Sequence, residues 1–302
     1  MPDLKKIIAC CLLLAFSLFL QLPAAQAASR EKIPVFVSIL PQAFFVEKIG
    51  GERIAVEVLV QPGQSPHTYA PSPRQMARLA GARVYFRIGV AFENGFIPKI
   101  ESSLPDLLIV DTRQGIELEK MPAHEGKGEE HHHEDEELDT HIWLDPLLVK
   151  KQAKIITDTL VQLDPDGQAL YEKNFTAFCA ELDALHARLS EALAPLRGRS
   201  FFVFHPAFGY FARTYGLKQI AVETGGSSPS ARHLAALIES ARKNGVRVLF
   251  VQPQFSQKSA ETVARAIDGA VVPLDPLARD YFTNMTAIAQ ALEKALGPGR
   301  AD

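Results

Sequence analysis

Two runs of alternating β-rich and helical segments flank a stretch of 27 residues, Gln168 to Ala194, that contains neither glycine nor proline. No other feature restricts the fold of this chain as strongly. The first run reads as strand 33–39, helix near 41–50, strand 54–60, helix near 73–80, strand 83–89, helix near 92–101 and strand 107–110. Short runs rich in β-branched and aromatic residues, spaced by helix-length segments, are the pattern of a parallel sheet wrapped by helices. The pattern restarts after residue 200, with strands at 200–204, 217–222, 246–251 and 270–274 and helices at 206–215, 229–244, 256–267 and 279–296. Between the runs, Leu170, Phe175, Phe178, Leu182, Leu185, Leu189 and Leu193 recur at helical spacing. A helix of about 25–30 residues spans ~40 Å. The predicted architecture is therefore α/β, with two lobes joined by a stiff rod.

The start of the chain is set apart. Lys5 and Lys6 precede an apolar run from Ile7 to Leu20, followed by the small-x-small site Ala25-Gln26-Ala27. This is the pattern of a secretory signal, and the run is too short for a spanning helix. Residues 1–27 are expected to be cleaved, which places the mature protein in the periplasm as a soluble species. Of the three cysteines, Cys10 and Cys11 leave with the signal, and Cys179 alone cannot form a disulfide within one molecule. The remaining length suits two domains, divided as an N-terminal lobe at 28–145, a linker region at 146–197 with the long helix, and a C-terminal lobe at 198–302.

The formal charge of −3 is concentrated in one place. Residues 124–141 carry eight carboxylates against Lys127 alone, so the rest of the chain is mildly basic, without a dense basic stripe. That excludes the electrostatic footprint of a nucleic-acid binder. The same segment holds His131, His132 and His133, candidates for weak auxiliary metal sites. With almost no apolar residues, the loop at 124–140 cannot bury enough surface to order itself.

Four other side chains are candidates for a tighter site. His67 lies in a proline-rich loop after the second strand, His205 directly follows the strand SFFVF, and Asp275 directly follows the strand at 270–274. His141 stands at the exit of the acidic loop, before IWLDP. Ligands of open α/β sheets bind outside the carboxyl ends of the strands, so all four can face a cleft between lobes. By chain order, His67 and His141 belong to the first lobe, His205 and Asp275 to the second. Asp275 precedes Pro276 and suits a turn or helix cap equally well. His186 and His233 fall within helical patterns and are read as structural.

The segments GQSPHTYAPSPRQMARLAGARVYFRIG, DTHIWLDP, FFVFHPAFGYFARTYGLKQIAV, SSPSARHLAALIESARKNGVRVLFVQPQF and VVPLDPLA occur in order. Together they resemble the metal-specific solute-binding proteins of ABC importers, in particular the high-affinity zinc-uptake type. The resemblance covers nearly the whole mature chain. It implies two (β/α)4 lobes with parallel sheets, one long backbone helix, and a metal site in the inter-lobe cleft. Carried over residue by residue, it matches His67, His141, His205 and Asp275 to the family's ligands. Manganese-binding relatives have glutamate at the position of His205. Some zinc-binding relatives have glutamate beside the first histidine, where this chain has Pro66, which leaves Asp275 or a water as fourth ligand. The partners implied are a membrane permease and its cytoplasmic ATPase, with the binding protein itself a monomer.

The chemistry of the donor set points the same way. Imidazole suits Zn²⁺, whereas manganese favours more carboxylate, and copper and nickel also accept imidazole. Import of Mn²⁺ or another divalent metal is therefore the first alternative function. A zinc-dependent hydrolase is another, because three histidines with an open position also serve catalysis, but the chain has neither H-E-x-x-H nor G-x-S-x-G. A periplasmic zinc buffer is the third, and a buffer requires no two-lobed body. The expected function is capture and delivery of zinc, without enzymatic activity. Protons should compete with the metal for the rings near or below the ordinary histidine pKa of ~6.5.

Overall fold

A computed structural model describes residues 31–121, 138–222 and 246–297, together with helical positions 235, 238, 239 and 241–243. The signal segment 1–27, His131–His133, His233 and most of the helix expected at 229–244 lie outside the described residues. Ile33–Asp302 forms one compact unit, separate from Met1–Lys32.

The first sheet is built from β1 (Ile33–Val37), β2 (Ile54–Val58), β3 (Val84–Arg87) and β4 (Leu108–Asp111), all parallel, in the order β2-β1-β3-β4. Its connections are α1 (Leu40–Gly50), α2 (Pro73–Leu79) and α3 (Phe92–Ser103). Two further helices follow, α4 (Pro146–Leu163) and α5 (Gln168–Leu193). The second sheet comprises β5 (Ser200–Val203), β6 (Lys218–Ala221), β7 (Val248–Val251) and β8 (Ala270–Pro273), also all parallel, in the order β6-β5-β7-β8. With it go α6 (Gly209–Tyr215), α7 (Gln257–Ala266) and α8 (Tyr281–Leu296). The two sheets thus repeat one topology, in which the chain leaves the central pair in opposite directions. That switch opens a crevice at the carboxyl ends of the strands.

Helix α5 is the expected rod. Its 26 residues span about 39 Å. One face buries Tyr171, Phe178, Leu182, Leu185, Leu189 and Leu193, a stripe three, four or seven residues apart as a helix requires. Phe178 meets Phe45 of α1 at 5.9 Å and Phe282 of α8 at 6.1 Å between ring centroids, so the rod touches a helix associated with each sheet. A single apolar core consequently runs from Val35 in β1 through the rod to Phe201 and Val203 in β5. The alternate residues of that strand region, Phe202 and Phe204, pack into a second cluster with Val263 and Ile267 on the other face. At the rod's start, Asp164 accepts both Arg53 guanidinium bonds, at 2.6 and 2.7 Å, and the Tyr171 hydroxyl at 2.7 Å. Among the described residues, no helix is long and apolar enough to cross a membrane.

Candidate metal centre

His67 is placed by the loop between β2 and α2. Ser72 caps α2 and Gln75 returns the bond to the Ser72 N–H at 3.0 Å, with Pro73 opening the helix. The Gln75 amide also donates to the Leu59 carbonyl at 2.8 Å, which ties the far end of the loop back to the end of its strand. The N–H of Phe92 binds the Pro66 carbonyl at 3.2 Å and fixes the residue beside His67.

His205 sits where β5 ends, beside β7, at the switch point of the second sheet. Gln252, fully buried after β7, accepts from the His205 N–H at 3.1 Å and donates to its carbonyl at 2.7 Å. The imidazole stacks on Phe255 with centroids 4.9 Å apart and planes 23° apart. Its backbone and one ring face are thereby held. The corresponding end of the first sheet is closed by the buried carboxylate of Glu93, which accepts from the N–H groups of Ile88 at 3.0 Å and Gly89 at 2.7 Å. The first sheet's histidine comes from the loop after β2 instead.

His141 is oriented by Asp139, whose Oδ1 accepts both the backbone N–H, at 2.9 Å, and the ring Nδ1–H, at 2.7 Å. This leaves the Nε2 lone pair of His141 pointing away from the carboxylate, as ligand histidines are commonly arranged. The sequence reading missed Asp139, although an aspartate two residues before a candidate ligand is a visible cue. It also missed Gln252, for which no local cue exists.

The three rings converge. Nε2 of His205 lies 3.2 Å from Nε2 of His67 and 3.3 Å from Nε2 of His141. The ligand atoms of all three histidines fall within 4.8 Å of one another, the one such group among the described residues. Zinc–nitrogen bonds of ~2.0–2.1 Å at tetrahedral angles would separate nitrogens by ~3.3–3.4 Å, so both separations about His205 fit a shared zinc ion. Burial, then the nearby His141, pushes the His67 pKa down to about 4. Burial, then His141 and His67, holds His205 well below the ordinary histidine value. Both rings are neutral at neutral pH, the form a metal requires.

Asp275 is not in that group. Its Oδ1 accepts from the Gln254 amide and from the Leu277 N–H, both at 2.9 Å, and the second of these bonds is the turn role its position before Pro276 suggested. With Gln254, Gln61 and Val60 it lines a neighbouring cavity of about 390 Å³. His186 lies on α5 with its Nδ1 at 3.4 Å from the Tyr215 hydroxyl, in keeping with a structural role.

Comparison with known proteins identifies the kind of molecule that carries this arrangement. The sequence model of the family described as zinc-uptake complex component A, periplasmic (ZnuA), matches residues 35–295. The chain belongs to the ZnuA family. This is a family of solute-binding transport proteins rather than enzymes, so the hydrolase alternative is not favoured. The chain is 30% identical over 283 residues to the high-affinity zinc uptake system protein ZnuA of Bacillus subtilis, covering 90% of this chain and 87% of that one. It is 29% identical over 267 residues to the zinc-binding lipoprotein AdcA of Streptococcus pneumoniae, where it spans 53% of the relative's length, about half. A crystal structure of a ZnuA superposes with a TM-score of 0.80 at 42% identity, covering 88% of this chain and 99% of that one. A ZnuA deletion mutant with zinc bound gives the same score and identity. The periplasmic zinc-binding protein TroA of Treponema pallidum, at 21% identity and a TM-score of 0.77, shares the fold.

Proposed function

We propose that this chain is the periplasmic receptor of a zinc importer, capturing Zn²⁺ through His67, His141 and His205 and presenting it to a membrane permease driven by a cytoplasmic ATPase. The observation that carries the reading is the convergence of three Nε2 atoms at 3.2 and 3.3 Å about His205. Three imidazoles and no carboxylate in the group favour zinc over manganese. Asp275 or a water would complete the coordination. The working division is an N-terminal lobe at 28–145, a linker at 146–197 and a C-terminal lobe at 198–302, after removal of residues 1–27, with the protein acting as a monomer. His131–His133 would add weak capture sites of their own.

Metal-free protein prepared without a histidine tag, titrated with zinc against a calibrated chelator, tests the assignment. One tight zinc per chain is expected, and His67→Ala, His141→Ala and His205→Ala should each lose most of the affinity. Full affinity in all three variants would overturn it.

A further inference from the structure

We propose that Tyr210 is a positioning residue for the metal centre, acting on His141 through Asp139; the proposal rests on the zinc reading above. Tyr210 is fully buried on α6, a helix of the second sheet's connections. Its hydroxyl accepts the Glu119 N–H at 2.9 Å and donates to the Asp139 carbonyl at 2.9 Å. Glu119 and Asp139 are themselves joined, because the Asp139 N–H binds the Glu119 carbonyl at 2.7 Å beside the antiparallel bridge of Lys120 with Leu138. One phenol therefore pins both chain segments at the point where they meet. Asp139 then accepts both the backbone N–H and the ring Nδ1–H of His141 on a single oxygen.

The same helix constrains that carboxylate from a second side. A Cβ on Gly209 would lie 2.6 Å from Asp139 Oδ2, so the glycine is the clearance that lets the carboxylate reach His141. Arg213 pairs with the Glu119 carboxylate and lies over the Tyr210 ring at 5.3 Å. Thr214 donates to Asp145 Oδ2 at 2.8 Å, four residues beyond His141. Four residues of one short helix, Gly209, Tyr210, Arg213 and Thr214, thus bear on residues 119, 139 and 145, and the Tyr210 hydroxyl bonds to none of the candidate ligands. Its effect on zinc must pass through the tautomer and aim of His141.

The test compares Tyr210→Phe with Tyr171→Phe, which removes an equally buried phenol hydroxyl from Asp164 at the start of α5. Two readouts are used: zinc affinity by chelator competition, and the tautomer of His141 in the metal-free protein from imidazole nitrogen NMR shifts. Tyr210→Phe is expected to bind zinc about 10–100-fold more weakly, the usual effect of losing a group that orients a ligand, and to mix the two His141 tautomers. Tyr171→Phe should leave both readouts as in wild type. Gly209→Ala, which crowds the Asp139 carboxylate without deleting a hydrogen-bonding group, should reproduce the tautomer mixing and serves if Tyr210→Phe does not fold. Wild-type affinity and tautomer in Tyr210→Phe or Gly209→Ala, or equal weakening in Tyr171→Phe, would overturn the proposal. If His67→Ala, His141→Ala and His205→Ala also keep full affinity, the zinc assignment itself has failed; if they are impaired, only the role of Tyr210 has.

Discussion

The indole N–H of Trp143 donates to the carbonyl of Pro276 at 2.7 Å, tying the segment that carries His141 to the loop after β8. With Tyr210 on Asp139 and Thr214 on Asp145, three hydrogen bonds attach residues 139–145 to elements of the second sheet. By chain order His141 was grouped with His67. Its attachments instead make it a neighbour of His205, and His67 is the ring delivered from the first sheet's own loop. His205 is also the hub, since its Nε2 is the one close to both others. His67→Ala should therefore keep a close pair of rings, His141 and His205 with Nε2 atoms 3.3 Å apart, whereas His205→Ala removes the point the other two share. Competition binding should show His205→Ala at least about tenfold weaker for zinc than His67→Ala, a difference of ~1.4 kcal/mol. The reverse order would mean that the cluster is not organised around His205.

Acid should weaken the metal-free protein in a defined window. The folded-state pKa of His67 is about 4, below the unfolded value of 6.5, and that of His205 is lowered too. Above pH ~6.5 both rings are neutral in either state and their contribution is complete. As pH falls from ~6.5 toward 4, the unfolded chain takes up protons that the folded chain refuses, and stability drops by at most ~1.4 kcal/mol per pH unit for each ring. Urea unfolding of wild type and of a His67→Phe, His205→Phe double variant should show the steeper slope in wild type. Zinc uptake at pH 7 should release no protons from these two rings, which calorimetry in buffers of different ionisation enthalpy measures. A release of two protons would contradict the lowered values.

Most of the architecture was legible because it depends on local periodicity. The glycine- and proline-free stretch Gln168 to Ala194 matches the helix Gln168–Leu193 to within a residue, since an uninterrupted apolar stripe needs little from elsewhere. Strand ends were less legible. The first strand was read to residue 39, but the Ser38 N–H turns to the side chain of Gln42 at 3.1 Å and leaves the sheet. Helix 206–215 begins only at Gly209, because the Ala207 N–H binds the His205 carbonyl in a tight turn and the Phe208 N–H goes to Gln219, eleven residues on. The three histidines were recognisable by position at loop entrances and exits. Gln252, Tyr210 and the Trp143 bond to Pro276 were not, because each acts on a residue 47 to 133 positions away.

Deleting Glu125–Glu137 should leave the tight site intact and remove weaker ones. The flanks already meet at the Lys120–Leu138 bridge. The four residues left between them, 121–124, match a common hairpin length. Calorimetry should give one tight zinc in both proteins, with extra low-affinity binding only in the full chain. Loss of the tight zinc would place part of the site within the deleted segment.

Phe178 offers a test of whether the rod limits motion between the sheets. It is buried among Phe44 and Phe45 of α1 and Phe282 of α8, so one side chain fills the seam where both sheets' helices meet α5. The continuous core on either side of it resists a wide hinge, since opening would expose apolar surface at ~25 cal/mol per Å². Zinc binding to wild type should raise the melting temperature by mass action while leaving the radius of gyration unchanged within error in solution scattering. Phe178→Ala should cost about 3–5 kcal/mol through the cavity it leaves. Its metal-free form should be measurably larger in solution, and zinc should return it toward the wild-type radius by joining His67 to the His141–His205 pair. A wild-type protein that contracts markedly on binding zinc would show that α5 does not restrain the lobes.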